Sequence, residues 1–212
     1  MTGNLPLTLF LTGRSRQRFD LFLTRQAQRE RLNFAQCRHF HRAQLFALGE
    51  RQMHSIEQVV NFLSKYKLRL ATAESCTAGL ISSLVADVPG SGQVLDCAFV
   101  TYSPQAKQRC LGVNPETIER FGLTSEEVAR EMALGALQRS DADIVLANTG
   151  LAEAEGDMDG VQCIACAIRL DQHQGIVSET VQFSGARNEV REETARYALM
   201  QLSYYYERLR QV

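Results

Sequence analysis

The chain has 212 residues, of which 45% are hydrophobic and 22% are charged, so it can bury one well-formed core with little left for a second. No apolar stretch approaches the roughly 18 to 20 residues of a membrane-spanning helix. Four prolines and 14 glycines also exclude collagen-like and low-complexity chains. The composition therefore predicts a soluble globular protein without a membrane span.

The net charge of −1 conceals two segments of opposite sign. Residues 1–52 hold nine Arg and three acidic residues, a net charge of +6, whereas residues 53–212 hold 14 Lys plus Arg and 21 Asp plus Glu, a net charge of −7. We predict a basic N-terminal extension, poorly ordered or loosely helical, followed by a domain over 53–212. An arm that binds RNA or a membrane surface and a misassigned start codon are alternatives for the extension. The acidic domain is not expected to bind nucleic acid.

Six cysteines are spread through a chain that is too large to need disulfide bonds, which favours a reducing, cytoplasmic location. Cys163 and Cys166 form a C-x-x-C pair, but they lie within VQCIACAIRL, which is typical of a buried strand. Residues three apart on a strand point to opposite faces, so we interpret both as ordinary buried thiols rather than as a metal or redox site.

After residue 52, segments with helical and strand periodicity alternate. In chain order we predict a helix at Ile56 to Tyr66 capped by Ser55, a strand at LRLATA, a helix at Leu80 to Ala86, a strand at VLDCAFVTY, short helices at SPQAKQRCLG and PETIERFG, a long helix from Thr124 with a capping box to Glu127, strands at DIVLANTG, VQCIACAIRL and GIVSETVQF, and a terminal helix from Arg187. This order predicts a three-layer α/β domain with a largely parallel sheet. Only DQHQ joins the last two strands, too short for a crossover, so at least one strand must run antiparallel.

Three predicted strands end in polar or glycine-containing segments: AESCTAG, VTYSPQAK and NTGLAEAEGD. Ligands gather at such strand ends in sheets of this type. AESCTAG places Ser75, Cys76 and Thr77 at a helix N-terminus, where free N–H groups favour an anion or a developing oxyanion. The same segment is also explained as a helix that is simply N-capped.

Lys107 is one of only three lysines in the chain and lies five residues after Tyr102, just beyond a predicted buried strand. A serine beside a lysine that burial keeps partly neutral is one of the known pairs of nucleophile and base. Tyr102 could relay a proton or orient the lysine. A solvated position on a helix is the alternative for Lys107.

Six motifs, in order, resemble the CinA C-terminal domain family from about Met53 to the C-terminus: AESCTAG, DVPGSG, FVTYSPQAKQRCLGV, TSEEVAREMALGAL, ADIVLANTGLA and FSGAR. The resemblance implies a three-layer α/β/α fold with a mixed, mostly parallel five-stranded sheet. It also implies an amidohydrolase that converts nicotinamide mononucleotide (NMN) to nicotinate mononucleotide and ammonia, without a metal or organic cofactor. Members are commonly oligomeric, so we expect a homo-oligomer that acts on a small nucleotide.

Carried over motif by motif, the resemblance implies roles for individual residues. Ser75 is expected to be the nucleophile, Lys107 its base, and Tyr102 an auxiliary proton donor or orienting group. Arg187 is expected to contact the anionic part of the substrate. The full set of expected substrate-binding positions is Thr77, Gly79, Thr149, Gly150 and Arg187.

TGLAEAEGDMDG departs from the Pro- and Gly-rich segment that follows the third strand in this family. Lost glycines remove positions where backbone can approach a ligand closely, and four added carboxylates would repel a nucleotide phosphate. We interpret the segment as a solvated acidic loop, with a metal site as the alternative. The departure also motivates a second hypothesis, a catalytically silent family member that binds a nucleotide or a protein partner.

Overall fold

A computed structural model describes residues 56–169 and 174–211 of the chain. The predictions for residues 1–52 and for the Ser55 cap concern residues outside these ranges. The helices are α1 (Ile56–Tyr66), α2 (Leu80–Ala86), α3 (Pro104–Ala106), α4 (Pro115–Phe121), α5 (Glu126–Gln138) and α6 (Arg187–Arg210). The strands are β1 (Leu70–Glu74), β2 (Leu95–Val100), β3 (Ile144–Gly150), β4 (Val161–Arg169) and β5 (Gln174–Gln182). A π-helical turn (Lys107–Leu111) continues α3, and single 3₁₀ turns lie at Ser91–Gln93 and Gly156–Met158.

The five strands form one mixed sheet in the order β2-β1-β3-β4-β5. Strand β1 is parallel to both β2 and β3, whereas β4 is antiparallel to both β3 and β5. Four strands therefore run in one direction and β4 runs against them, which confirms the mixed, mostly parallel sheet and the antiparallel pairing expected from the short DQHQ connection.

Side chains from alternate strand positions enter two separate cores. On β3, Ile144 and Leu146 pack with residues of α1, α2 and α6 on one face, whereas Val145 and Ala147 pack with α5 and the π-helical turn on the other. This alternation is the period-2 pattern of a strand buried on both faces. The arrangement confirms the three-layer α/β/α architecture.

Cys163 and Cys166 follow the same alternation and lie in different cores, as predicted for strand residues three apart. Both are buried, and burial raises the pKa of the Cys163 thiol to about 11. Burial also raises the pKa of the Cys166 thiol well above its ordinary range. Each thiol therefore behaves as a small apolar side chain at neutral pH.

Helix α5 begins one residue later than the sequence predicts. Ser125, not Thr124, caps it: the Ser125 hydroxyl accepts a hydrogen bond from the Val128 N–H at 3.3 Å and donates to the Gly122 carbonyl at 2.9 Å. Glu127 pairs with Arg130 instead of closing a capping box. Only Thr124 has the capping-box spacing to Glu127, yet Ser125 caps the helix because its hydroxyl also binds the preceding turn.

Helix α5 also allows the π-helical turn to approach closely. Gly135 lies where α5 crosses Leu111, and a Cβ at that position would overlap the Leu111 carbonyl oxygen. The glycine therefore lets the π-helical turn pack directly against α5. This packing fixes the backbone of the turn that carries Lys107. No helix in the described part of the chain is long and apolar enough to cross a membrane.

Candidate active site

The site is built around a direct contact between Ser75 and Lys107. Ser75 follows the last residue of β1, and Lys107 opens the π-helical turn that follows β2. The Lys107 ammonium Nζ lies 2.7 Å from Ser75 Oγ and 2.8 Å from the Thr101 carbonyl oxygen. The lysine is fully buried and the serine is 6% exposed. Two residues 32 positions apart thus meet at hydrogen-bond distance at the ends of two adjacent parallel strands.

Burial lowers the pKa of Lys107 from its ordinary value of 10.5 to about 8. The nearby Cys76 thiol acts weakly in the opposite direction. Both hydrogen-bond partners of Nζ are neutral oxygens, which do not stabilise the ammonium form as a carboxylate would. A substantial fraction of Lys107 is therefore neutral near pH 8 and able to accept a proton.

Glu74 occupies the N-terminus of α2. Its carboxylate is fully buried and accepts hydrogen bonds from the N–H groups of Gly79, Ile81 and Ser82 at 2.8, 3.1 and 3.0 Å. The hydroxyls of Thr72 and Thr77 also donate to it. The expectation that these helix-terminal N–H groups are free for a substrate anion or oxyanion is therefore wrong, because the chain's own carboxylate uses them.

The turn that carries Ser75 is held by the backbone and side chain of Asn148 on β3 and by a side chain of α6. The Ser75 N–H donates to the Asn148 carbonyl at 3.0 Å, and the Thr77 N–H donates to Asn148 Oδ1 at 3.2 Å. The Arg191 guanidinium donates to the carbonyls of Cys76 and Thr77. Among the described residues, no acceptor is bonded to the Cys76 N–H, the backbone donor of the residue after Ser75.

Tyr102 and Arg187 contact each other rather than the buried pair. The tyrosine is 58% exposed, and its hydroxyl accepts a hydrogen bond of 2.9 Å from the Arg187 guanidinium. Within the described ranges, no hydrogen bond joins Tyr102 to Ser75 or Lys107. The structure thus brings Tyr102 and Arg187 together in an exposed position, and their roles in catalysis and substrate binding stay predictions.

The remaining predicted binding residues make internal hydrogen bonds or close contacts. The Thr77 hydroxyl and the Gly79 N–H both donate to Glu74. The Thr149 hydroxyl donates to the Leu123 carbonyl at 3.0 Å, and the residue is 1% exposed. Gly150 lies so close to the Gln162 side chain that a Cβ would overlap its Oε1 atom. Their contact with a substrate stays a prediction.

Sequence reasoning missed four polar residues that support this site: Glu74, Asn148, Gln162 and Arg191. The first three are fully buried and lie on one face of the sheet. Each of these three is a polar residue near the end of an otherwise apolar strand, and this pattern could have identified them as buried polar groups beside the site. Arg191 lies one helical turn after Arg187, a spacing that predicts a shared helix face.

The acidic loop over residues 151–160 leaves the site from the end of β3. Ala152 packs beside Cys76 and Val190, and beyond it the four acidic residues, Glu153, Glu155, Asp157 and Asp159, are exposed. Asp159 accepts a hydrogen bond from the Ala154 N–H at 2.9 Å. In the described ranges, no group of three or more His, Cys, Asp or Glu residues is placed to hold a metal ion.

The fold and the strand-end site place this chain among three-layer α/β/α domains with a buried serine–lysine contact. The sequence model of the CinA C-terminal domain family matches residues 52–206. The chain therefore belongs to the CinA C-terminal domain family.

Relatives and solved structures agree with this assignment. A CinA-like protein of Chlorobaculum tepidum is 50% identical over 118 residues, which cover 54% of this chain and 28% of the relative. A CinA-like protein of Chlorobium limicola is 36% identical over 166 residues, which cover 76% of this chain and 38% of the relative. The chain thus matches about a third of the length of these relatives.

Two crystal structures share the fold, and in each the aligned region covers most of the solved chain. The competence/damage inducible protein from Agrobacterium tumefaciens is 33% identical with a TM-score of 0.66, covering 71% of this chain and 93% of that one. The competence or damage-inducible protein from Enterobacter asburiae is 34% identical with a TM-score of 0.64, covering 70% of this chain and 96% of that one.

Proposed function

We propose that this chain is an amidohydrolase that converts NMN to nicotinate mononucleotide and ammonia by a serine–lysine mechanism. One observation carries the proposal: Ser75 Oγ and Lys107 Nζ lie 2.7 Å apart, and burial lowers the pKa of that lysine to about 8. Hydrogen-bond distance between nucleophile and base is the first requirement of such a pair, and a base that titrates near neutral pH is the second.

The first half of the reaction forms an acyl-enzyme. Neutral Lys107 removes the proton of the Ser75 hydroxyl as Oγ attacks the carboxamide carbon, which gives a tetrahedral intermediate. The intermediate collapses when the carbon–nitrogen bond breaks, and the protonated lysine returns its proton to the departing nitrogen, which leaves as ammonia. Lys107 is neutral again and Ser75 carries the nicotinoyl group as an ester.

The second half releases the acid. Lys107 accepts a proton from water, the hydroxide attacks the ester carbon, and the bond to Ser75 Oγ breaks as the lysine returns the proton to Oγ. The segment Ser75–Thr77 forms the nucleophile turn. Its Cys76 N–H has no acceptor among the described residues, so we assign this N–H to the oxyanion in both halves of the reaction. The N–H groups of α2 take no part, since Glu74 binds them.

The anionic part of the substrate needs a cation near the exposed edge of the site. Arg187 is exposed and bonded to the Tyr102 hydroxyl, an uncharged partner, and it forms no ion pair with any residue that the structure describes. Arg191 is already bonded to two carbonyl groups of the nucleophile turn. We therefore assign the substrate phosphate to Arg187 and a supporting role to Arg191.

The direct test is ammonia release from NMN by the purified full chain. We expect turnover by the wild type and a loss of at least about 1,000-fold in Ser75→Ala, because the nucleophile is removed. Ser83→Ala is a matched control, since Ser83 is exposed on α2 away from the pair. Wild-type turnover no greater than that of Ser75→Ala would contradict the proposal.

A second function is favoured by the acidic loop. Its four exposed carboxylates follow directly on the strand that borders the site, and they oppose the approach of a phosphate. A family member that binds a nucleotide or a protein partner without turnover fits this feature. Calorimetric titration with NMN separates the two functions, because binding without ammonia release supports only the second.

A further inference from the structure

Three buried polar side chains form a row beneath the nucleophile turn. Glu74 pairs with Asn148 across β1 and β3, and Gly150, two residues further on, pairs with Gln162 on β4. Glu74, Asn148 and Gln162 are each fully buried. Glu74 binds the N-terminus of α2, so the part of the row that the proposed reaction does not yet use is the Asn148–Gln162 pair.

Asn148 contacts the nucleophile turn at two points. Its carbonyl oxygen accepts the Ser75 N–H at 3.0 Å, and its side-chain Oδ1 accepts the Thr77 N–H at 3.2 Å. These bonds lie on either side of Cys76, whose N–H we assign to the oxyanion. The backbone bond holds Ser75 in register with β3, and the Asn148 side chain holds the second half of the turn, from Cys76 to Thr77.

The Thr77 N–H determines the orientation of the Asn148 side-chain amide, and Gln162 supports it. Gln162 Oε1 accepts a hydrogen bond of 3.1 Å from Asn148 Nδ2, which satisfies the amide while Oδ1 is directed at Thr77. With the Asn148 amide reversed, its NH₂ group would face the Thr77 N–H, and two donors would repel each other. Gly150 has no Cβ, and this leaves the space that Oε1 occupies.

The pair is not explained by stability alone. Among the described residues, Gln162 Nε2 is buried without a nitrogen or oxygen acceptor, and the group it faces is the Cys76 thiol, a weak acceptor. A buried donor with only a weak partner is costly, and two apolar side chains of similar shape would avoid that cost. A polar pair of this kind, in contact with the residue after a nucleophile, is expected where function needs the bonds that it makes.

We propose that Asn148 and Gln162 are positioning residues that hold the turn containing Ser75 in its reactive geometry. The proposal rests on the proposed role of Ser75 as nucleophile. Neither residue touches the reacting atoms: Asn148 acts through the Thr77 N–H, and Gln162 acts through the Asn148 amide and the Cys76 thiol. Their loss should reduce the rate of acylation of Ser75 without altering the titration of Lys107.

The test measures phosphonylation of Ser75 by a fluorophosphonate, in which Oγ attacks phosphorus and fluoride leaves, so it needs the same activated hydroxyl as acylation. The product is read as a mass increase on the peptide that contains Ser75, over a pH series on both sides of about 8. We expect Asn148→Leu and Gln162→Met to slow the reaction by about 10- to 100-fold with the same pH midpoint. Gln162→Glu keeps an oxygen that accepts from Asn148 Nδ2, and it adds no group beside the buried Glu74 carboxylate, which pairs with Asn148 across β1 and β3. This conservative variant should therefore retain most of the rate.

Thr194→Val is the matched control, because Thr194 is also fully buried and its hydroxyl donates to Val190 within α6. It should react with the fluorophosphonate at the wild-type rate. In NMN turnover, the positioning variants should lower kcat and leave KM within about twofold, since an interaction that orients the nucleophile acts on the chemical step. Folded Asn148→Leu that reacts with the fluorophosphonate at the wild-type rate would overturn the proposal.

Hydrogen exchange of the Thr77 amide is a readout that does not depend on catalysis. Asn148→Leu should exchange this amide at least about 10-fold faster while the amides of β3 and β4 keep their protection. Unchanged exchange at Thr77 would refute the positioning role even if NMN is not the substrate. Conversely, if the wild type fails to react at Ser75 while Asn148→Leu shows the faster exchange at Thr77, the nucleophile is refuted and the hydrogen-bond pair is not.

Discussion

The nucleophile turn after β1 and the acidic loop after β3 leave neighbouring parallel strands at the same edge of the sheet, yet they are built in opposite ways. Ser75, Cys76 and Thr77 are buried, and their polar groups bond to β3, to α6 and to Glu74. In the acidic loop all four carboxylates are exposed, and none forms an ion pair within the described ranges.

The proposed enzyme must position its nucleophile for the chemical step and must admit an anionic substrate, and the two regions bear on these requirements separately. The internal bonds around the turn fix the distance between nucleophile and base, so they bear on the chemical step. The exposed loop changes only the charge that a substrate meets on approach. Substitutions in the turn and its supports should therefore alter kcat or the free energy of unfolding, and substitutions in the loop should alter KM and its dependence on salt.

Lys107→Met should have the largest effect on activity. The variant keeps a side chain of similar shape but removes the base, so we expect kcat/KM for NMN to fall by at least about 1,000-fold. Lys65→Met, at an exposed position on α1, is the matched control and should keep wild-type activity. Activity in Lys107→Met within tenfold of wild type would show that the buried lysine is not the base.

Glu74→Leu should have the largest effect on stability. The change leaves three N–H groups and two hydroxyls without their acceptor in a buried site, so we expect the free energy of unfolding to fall by about 3 to 5 kcal/mol. Glu131→Leu is the comparison, because Glu131 binds Asn114 and Thr117 at a partly exposed position where water can replace it. Chemical denaturation measures both, and equal losses would argue against a special role for the Glu74 cap.

The pH dependence tests whether Lys107 acts as a neutral base. Its protonated form cannot accept the Ser75 proton, so kcat/KM should rise with pH through about 8. In the unfolded chain the lysine regains a pKa of 10.5 and binds more protons than in the folded state, so the free energy of unfolding should also rise between about 8 and 10.5. A rate that is flat or falls across this range would contradict the assignment.

Glu155→Gln should have the smallest effect. Removal of one exposed carboxylate weakens repulsion of the substrate phosphate, so KM for NMN should fall by about twofold at low ionic strength and by less in high salt. Glu207→Gln makes the same charge change near the opposite end of α6 from Arg187 and should leave KM unchanged. The same decrease in both variants would show that net charge, rather than the loop, controls binding.

Local patterns predicted most elements to within two residues because apolar periodicity and turn residues are visible along the chain. The bounds of α2, Leu80–Ala86, agree with the prediction, and so does the antiparallel pairing of β4 with β5. The start of α5 was wrong because Thr124 has the capping-box spacing, and only contact with the preceding turn favours Ser125.

The candidate pair was predicted in part, from a serine at a strand end, a scarce lysine and the family resemblance. The sequence could not predict that Glu74 would occupy the N–H groups of α2, because that outcome depends on the direction of a buried side chain. Nor could it join Asn148 to Gln162 or Arg191 to Cys76, since those partners come from separate strands and helices.

By itself, the sequence determined the family, the order of the elements and the presence of a serine and a lysine after adjacent strands, because these depend on residue types and on spacing along the chain. The tertiary structure alone decided that the two side chains meet at 2.7 Å, that the lysine is buried enough for its pKa to fall to about 8, and which buried polar groups hold the turn. Those properties depend on desolvation and on distances between residues far apart in sequence, and only the packed sheet and its helices establish them.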